Sequence, residues 1–266
     1  DLVFPFRASQ FSKRYRGERA QKGRYREFYQ MDMDIMGINS LSTNYDAEII
    51  SVIDRALKSV SEFIGPSRVL IGSRPFWDAM FAHLGLDDAQ KKSVFVLIDK
   101  KDAMGDDEFS AGLGDALNDP VKEDEIKSVF VRGYAEFVGR TPELDAAISE
   151  LTHFVDVLRD MGVNNAEIDL SIARGLAYYT GLVFEFKLIN HPELGTAAGG
   201  GRYADLAGKF SKTKIIGVGA AIGFSRIFVA LLESGQIDLT NFGTPITAAV
   251  LVMGDENLAY ASSVLN

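Results

Sequence analysis

The sequence has no cysteine, three histidines and one tryptophan. Without thiols there is no disulfide framework, no thiolate zinc site and no cysteine nucleophile, and His83, His153 and His191 are scattered without a ligand spacing. A metal would have to be held by carboxylates. No stretch approaches the roughly 18 continuous apolar residues of a membrane span. The opening Asp1-Leu2-Val3-Phe4-Pro5 has neither the basic nor the apolar region of a signal peptide, so the chain reads as soluble and cytoplasmic with no membrane partner. Positive charge is scarce as well. Against 37 Asp and Glu there are 28 Lys and Arg, a formal net charge of −9, which argues against non-specific nucleic-acid binding over the whole surface but permits a local basic patch.

What is present is a folding chain. Of 266 residues, 47% are hydrophobic and 24% charged, too apolar for disorder. A chain of this length can bury about 70 to 75% of the surface its unfolded form exposes. Strand-like alternation over residues 1–36 gives way, after a break at 37–44, to a 3.6-period run through Ile49, Ile50, Ile53, Leu57, Val60 and Ile64. Gly65-Pro66 stops that helix; Val69 to Ile71 reads as a short strand, and residues 66–164 then stay mostly helical. Within them the acidic, glycine-punctuated segment Asp99 to Asp124 reads as a surface connection, and Leu144, Ile148, Leu151, Val155 and Leu158 as an amphipathic helix. Strand texture returns from Glu167 to Ile189. A glycine-rich turn is expected at Gly199 to Gly201, then a strand Ile215 to Gly223 running into a helix Ser225 to Leu232. After Pro245 a strand Ala248 to Val252 and a helical stretch start a unit left unfinished at Asn266, so the chain reads as a fragment.

Four clusters carry chemistry. Between Arg7 and Arg26 stand eight basic residues (Arg7, Lys13, Arg14, Arg16, Arg19, Lys22, Arg24, Arg26) against one acid, Glu18. This is either a solvated basic hairpin or an anion site, for which the planar forks of arginine suit phosphate or carboxylate. The following strand puts Tyr29, Met31, Met33 and Ile35 on a core face and Phe28, Gln30, Asp32 and Asp34 on a polar one. That polar row either faces solvent or, with the neighbouring arginines, a shared pocket. Residues Ala173 to Glu185 place Arg174 beside Gly175 and a tyrosine pair, Tyr178 and Tyr179, before an apolar strand. Gly199-Gly200-Gly201-Arg202-Tyr203 is no dinucleotide or P-loop fingerprint and by itself can be only a flexible turn. At Gly217 to Arg226 a strand meets a helix, where Ser225 can cap and Arg226, in the first turn, opposes the helix dipole unless an anion compensates it.

Taken in order, these clusters resemble the class II aminoacyl-tRNA synthetases, specifically the histidyl-tRNA synthetase family. Tyr15 to Arg19 with Gly23 to Gln30 resembles the motif 2 strand-loop-strand, Arg174 to Glu185 the histidine-specific Arg-Gly-Leu-Asp-Tyr-Tyr-Thr-Gly signature, and Gly217 to Leu232 motif 3. The resemblance implies an α+β fold, a class II antiparallel sheet flanked by helices. It divides the chain into catalytic core over 1–65, a mostly helical insertion over 66–164, catalytic core again over 165–240, and the start of a C-terminal α/β anticodon-binding domain over 245–266. It also implies a histidine-tRNA ligase that activates L-histidine with ATP and Mg²⁺, charges tRNA(His) and is a homodimer at full length. Arg16 and Arg226 would hold ATP phosphates, Glu18 the adenine side, and Arg174 would be the cation near the reacting carboxylate and α-phosphate. Gln30 and Asp34 would bind histidine, Asp34 with Tyr179 reading the imidazole. Tyr178 and Tyr203 would line the amino acid pocket, and Gly200 and Gly201 would let the backbone pass close to the ligand. Arg19, Lys22 and Arg24 would meet the tRNA acceptor end. The magnesium ligands stay unassigned.

Ala177 stands where the signature usually has aspartate, and motif 1 with its dimer helix is missing from these residues. The expectation is therefore an active parent protein and a weak or inactive isolated chain. Two rival readings share the fold: a histidine-sensing regulatory subunit of ATP phosphoribosyltransferase, and a synthetase-like tRNA sensor. The set Arg16, Arg174 and Arg226 favours the enzyme, since a pure sensor has no need of phosphate-binding cations.

Overall fold

The structure, a computed structural model, describes residues 2–17, 19, 25–101, 104–172, 179–204, 213–237 and 251–264. A seven-stranded sheet organises it. Strand β1 (Phe6–Tyr15) pairs antiparallel with β2 (Glu27–Ile38), in register from Phe6 opposite Met36 to Tyr15 opposite Glu27. The remaining strands are β3 (Ser67–Ser73), β4 (Ala166–Ile168), β5 (Tyr179–Leu188), β6 (Thr196–Tyr203) and β7 (Ile215–Ile222). Their order across the sheet is β1-β2-β7-β6-β5-β3-β4, and among these pairs β3 with β4 is parallel and the rest antiparallel. The segment 66–164 thus opens on β3, a strand of the same sheet, before its helices begin.

Alternation settles which face of β2 goes inside: Met33 and Ile35 are buried, while Tyr29, on the same face but near the strand's open end, stays 42% exposed. Helix α1 (Asn44–Ser59) lays Ile49, Ile50, Ile53 and Leu57 against this face. A second short helix, α2 (Ser61–Ile64), ends at Gly65, whose φ of +70° is a conformation open to glycine, and Pro66 follows. Helix α3 (Arg74–His83) starts where the Ser73 hydroxyl accepts from the Phe76 N–H at 3.1 Å. It buries Phe76, Trp77, Met80 and Phe81 completely, and each such apolar side chain contributes about 1.5–3 kcal/mol.

Helices α4 (Asp88–Lys100), α5 (Asp106–Leu117), α6 (Pro120–Arg132) and α7 (Pro142–Asp160) follow. Two of them correct the reading of Asp99 to Asp124 as a surface connection. Phe109, Leu113 and Leu117 recur every fourth residue and are buried, and Asp119 caps α6 by accepting from Val121 and Lys122 ahead of Pro120. Four of the acids that suggested a loop, Asp106, Asp107 and Glu108 in α5 and Glu123 in α6, stand in first turns, where they favour the helix dipole. Gly199 to Gly201 is a second correction: these residues lie inside β6 and are paired on both sides, not in a turn. Helices α8 (Phe224–Glu233) and α9 (Leu258–Val264) complete the described elements. Of the strand expected at Ala248 to Val252, residues 248–250 lie outside the described residues, and Leu251 and Val252 are not in a strand.

Candidate active site

Cross-strand register gives the sheet one helix-covered face and one hollow one. Met33, Ala220, Gly200 and Phe184 form a row, and Ile35, Val218 and Arg202 the next, both on the face that α1 covers. The opposite face carries Asp32, Ala221, Gly199 and Glu185 in one row and Asp34, Gly219, Gly201 and Val183 in another, with Gly217 beside Tyr203 beyond them. On this face of β6 and β7, four of the six positions (199, 201, 203, 217, 219, 221) are glycine, so the middle of the sheet is bare between side-chain walls. A cavity of about 300 Å³ lies here, lined among others by Arg16, Phe28, Gln30, Tyr179, Glu185 and Arg226.

Two cations and a buried acid give the cavity its electrostatics. Arg16 follows β1 directly; its main-chain N–H donates to Arg26 O at 2.9 Å, and its guanidinium lies 4.5 Å from the Phe28 ring centre. That stacking holds the planar group while leaving its edge N–H donors for an anion. Arg226, in the first turn of α8, donates to the carbonyl oxygen of Thr196 at 2.6 Å. Carbonyl contact thus offsets part of its unfavourable place at a helix N-terminus. Glu185 is 6% exposed, and its carboxylate accepts from the Thr196 hydroxyl at 2.6 Å. Ser225 does not cap α8: its hydroxyl accepts from the Tyr29 N–H at 2.8 Å and ties the helix to β2, while Gly223 occupies the cap position.

Asp34 is paired with Tyr203, whose hydroxyl donates to Asp34 Oδ1 at 3.0 Å. Both depend on missing side chains. A Cβ on Gly217 would collide with the Tyr203 ring, and one on Gly219 with Asp34 Oδ1. Likewise a Cβ on Gly201 would come within 2.9 Å of the Tyr179 ring, so Tyr179 and Asp34 stand at the two ends of a glycine floor. Burial raises the Asp34 carboxyl above its ordinary value, the charge of Asp32 raises it further, and the Tyr203 hydrogen bond pulls it back. Burial raises the Tyr203 phenol too. Tyr203→Phe removes the lowering influence, so the Asp34 carboxyl titrates at higher pH in the variant. Carbon-detected NMR of that carboxyl checks this; an unmoved midpoint contradicts it.

Of the residues singled out from sequence, Arg16, Gln30, Tyr179, Gly200 and Arg226 line the cavity, whereas Asp34, Tyr203 and Gly201 stand beside it along the glycine floor. Gly201 bares the hollow face. Gly200 points to the other face, where a Cβ would come within 2.7 Å of Ala220 Cα. Arg19 is described but does not line the cavity. Glu18, Lys22, Arg24, Arg174 and Tyr178 lie outside the described residues, as does Ala177. Ile172 and Tyr179, which bracket residues 173–178, both line the cavity. The approach to that segment is anchored: Trp77 Nε1 donates to Leu170 O at 3.0 Å, and the Asp169 N–H donates to Ile71 O at 2.9 Å. Sequence reasoning missed Glu185, Gly217 and Gly219 as site residues. The signal for the two glycines was present in glycines spaced two apart on adjoining strands, which strips one face of a sheet.

A sequence profile described as histidyl-tRNA synthetase matches residues 4–228. The histidine–tRNA ligase of Stenotrophomonas maltophilia is 37% identical over 97% of this chain. The crystal structure of histidyl-tRNA synthetase from Nostoc sp. PCC 7120 aligns with a TM-score of 0.81 at 31% identity over 99% of this chain. An ATP phosphoribosyltransferase regulatory subunit/histidyl-tRNA synthetase from Bacillus halodurans aligns over 86% of this chain with a TM-score of 0.70 at 23% identity, a likeness of fold alone. The chain spans 59% of the Stenotrophomonas protein and 62% of the Nostoc one. Its mostly antiparallel seven-stranded sheet with flanking helices is that of a class II synthetase catalytic core. By its profile match, its identity to curated relatives and its fold, the chain belongs to the histidyl-tRNA synthetase family.

Proposed function

We propose that the protein containing this chain is a histidine-tRNA ligase. A carboxylate oxygen of L-histidine attacks the α-phosphorus of ATP, the bond to the β-phosphate oxygen breaks, and pyrophosphate leaves; a terminal ribose hydroxyl of tRNA(His) then takes the histidyl group and releases AMP. The first step needs alignment and stabilisation of spreading negative charge more than proton transfer. The observation that carries this reading is the convergence of Arg16, just after β1, and Arg226, from α8, on one cavity that also holds Gln30 and Tyr179. In this reading Arg16 holds the α-phosphate and stabilises the charge that spreads there in the transition state, Arg226 holds the γ-phosphate, Arg174 stabilises the transferring group, and Glu18 faces the adenine. Asp34 and Tyr179 pair the donor and acceptor of the imidazole, with Tyr178 and Tyr203 lining the pocket, a set that an apolar competitor would leave unsatisfied.

Among the described residues no three acids or histidines cluster as a metal site. Magnesium commonly binds through one or two carboxylates plus substrate phosphates, and the buried Glu185 in the cavity fits that pattern beside ATP. Arg19, Lys22 and Arg24 contact the acceptor end of tRNA. Residues 66–164 act as the helical insertion and 245–266 as the beginning of the anticodon-binding domain. The whole protein is a cytoplasmic homodimer; among the described residues no helix is long and apolar enough to cross a membrane.

Histidine-dependent ATP–pyrophosphate exchange by the whole protein tests the proposal. Exchange that requires histidine is expected, with weak exchange or none by the 266-residue chain alone. Histidine binding without exchange would favour a sensing subunit, and binding of uncharged tRNA without adenylate a tRNA sensor.

A further inference from the structure

The polar row on β2 divides its work unevenly. Asp34 meets Tyr203, but Asp32, two residues earlier on the same face, is already engaged on two sides. Arg14, from β1, donates to Asp32 Oδ2 through Nε at 2.7 Å and again through its second terminal nitrogen. That guanidinium is itself fixed, donating to Ser12 Oγ at 2.6 Å and to Gln10 Oε1 at 2.8 Å. The other carboxylate oxygen, Oδ1, accepts from Gln30 Nε2. Arg14 does not line the cavity and Gln30 does, so a chain of three side chains runs from the outer strand into the site.

The chemistry of the chain has a direction. A carboxylate accepts only, so Asp32 selects the amide nitrogen of Gln30 and excludes the flipped orientation. The carbonyl oxygen of Gln30 is then left to accept, and no described residue donates to it. An amide oxygen beside a glycine-floored pocket suits an ammonium, which offers three donors and cannot accept. Arg14 also neutralises Asp32, so the acceptor that meets the ligand is a neutral carbonyl and not a second carboxylate beside Asp34.

We propose that Arg14 and Asp32 are positioning residues that act through Gln30 to present its carbonyl oxygen to the α-ammonium of the amino acid substrate. This rests on the reading of the cavity as an amino acid site and assigns within it two residues that never touch the ligand.

The test must separate orientation from field. Removing Arg14 alone adds a net negative charge near the ammonium, and removing Asp32 alone adds a positive one. The double variant Arg14→Met/Asp32→Leu leaves net charge unchanged and removes the anchor. Calorimetry on the whole protein measures binding of L-histidine and of 3-(imidazol-4-yl)propionate, which lacks the ammonium. The affinity ratio between the two falls about tenfold in the double variant, the weight of one hydrogen bond to a charged group. Adding Gln30→Leu to the double variant then lowers the ratio little further, because the three residues act as one unit.

A merely structural role would lower the unfolding midpoint and leave the ratio unchanged, and that result overturns the proposal. If the double variant does not fold, Asp32→Asn combined with Arg14→Gln, which again leaves net charge unchanged, is read in the same way. The asparagine amide keeps the size of the carboxylate but can donate to Gln30 as readily as accept, so the ratio again falls, and an unchanged ratio overturns the proposal. Failure of the parent protein to bind histidine at all would instead remove the functional reading on which the assignment rests.

Discussion

Replacing Arg16 by alanine lowers histidine-dependent ATP–pyrophosphate exchange on the order of 100- to 1,000-fold, the cost of losing one preorganised donor to a charge that develops in the transition state. Stability hardly changes. Arg16 is exposed, its guanidinium rests on one ring, Phe28, and surface substitutions of this kind stay within about 0.5 kcal/mol. The comparison with Arg16→Lys is more informative than the alanine variant alone. Lysine keeps the charge but neither the planar fork nor the stack that orients it, so it recovers part of the rate and not all. Steady-state kinetics divide the loss further. A fall shared equally by kcat and kcat/KM marks an interaction made in the transition state. A rise in KM for ATP with kcat unchanged would reduce Arg16 to a ground-state phosphate ligand and contradict the role assigned to it.

The sheet and the site differed in how far a sequence could disclose them. Strand β2 was readable because a period of two is a local property: Met33 and Ile35 go inside and the polar row takes the opposite face whatever the neighbouring strands are. Arg16 and Arg226 were readable as an unexplained local excess of cations and an unfavourable place in a helix. Glu185 was not, because one acid inside an apolar strand says nothing about the strand beside it; its burial against Thr196 is a long-range fact. The same limit explains Gly199 to Gly201. A triple glycine resembles a turn by propensity, and only pairing to β5 and β7 makes it a strand whose bare face holds the cavity open. In α5 and α6 the error ran the other way: acidic residues outweighed the spacing of Phe109, Leu113 and Leu117, though helix first turns favour such acids. Asp32 looked like a twin of Asp34, and what separates them is a guanidinium 18 positions earlier in the chain.

Arg202→Ala destabilises the protein by about 3–5 kcal/mol, because it strands a buried carboxylate. On the helix-covered face Arg202 donates to Asp46 through Nε at 2.9 Å and through a terminal nitrogen at 2.8 Å, and it also reaches the carbonyl oxygens of Leu41 at 2.9 Å and Ser42 at 2.8 Å. It thereby fastens the entry of α1 to β6, next to the residue that holds Asp34. The side chains are 13% and 3% exposed, so water cannot replace what is lost. The pH dependence distinguishes this account from lost packing. The Asp46 carboxyl stands at about 6, raised by burial, held back by Arg202, and raised a little more by the charge of Glu150. A carboxyl that binds its proton more tightly in the folded state gives its full contribution to stability below its ordinary 3.8 and loses it as pH rises through about 6. Without Arg202 the folded value climbs further and the loss at neutral pH deepens. Relative to the parent, the deficit should therefore be small near pH 4 and complete near pH 8, as read from denaturant melts. A deficit that does not vary with pH would trace the damage to the cavity left by the side chain. The double variant Arg202→Met/Asp46→Leu separates the same two causes: it removes charge from both partners and should recover most of the stability, since an apolar pair of similar size is often neutral or better than a buried ion pair. It should not recover the pH dependence, because the titrating group is gone.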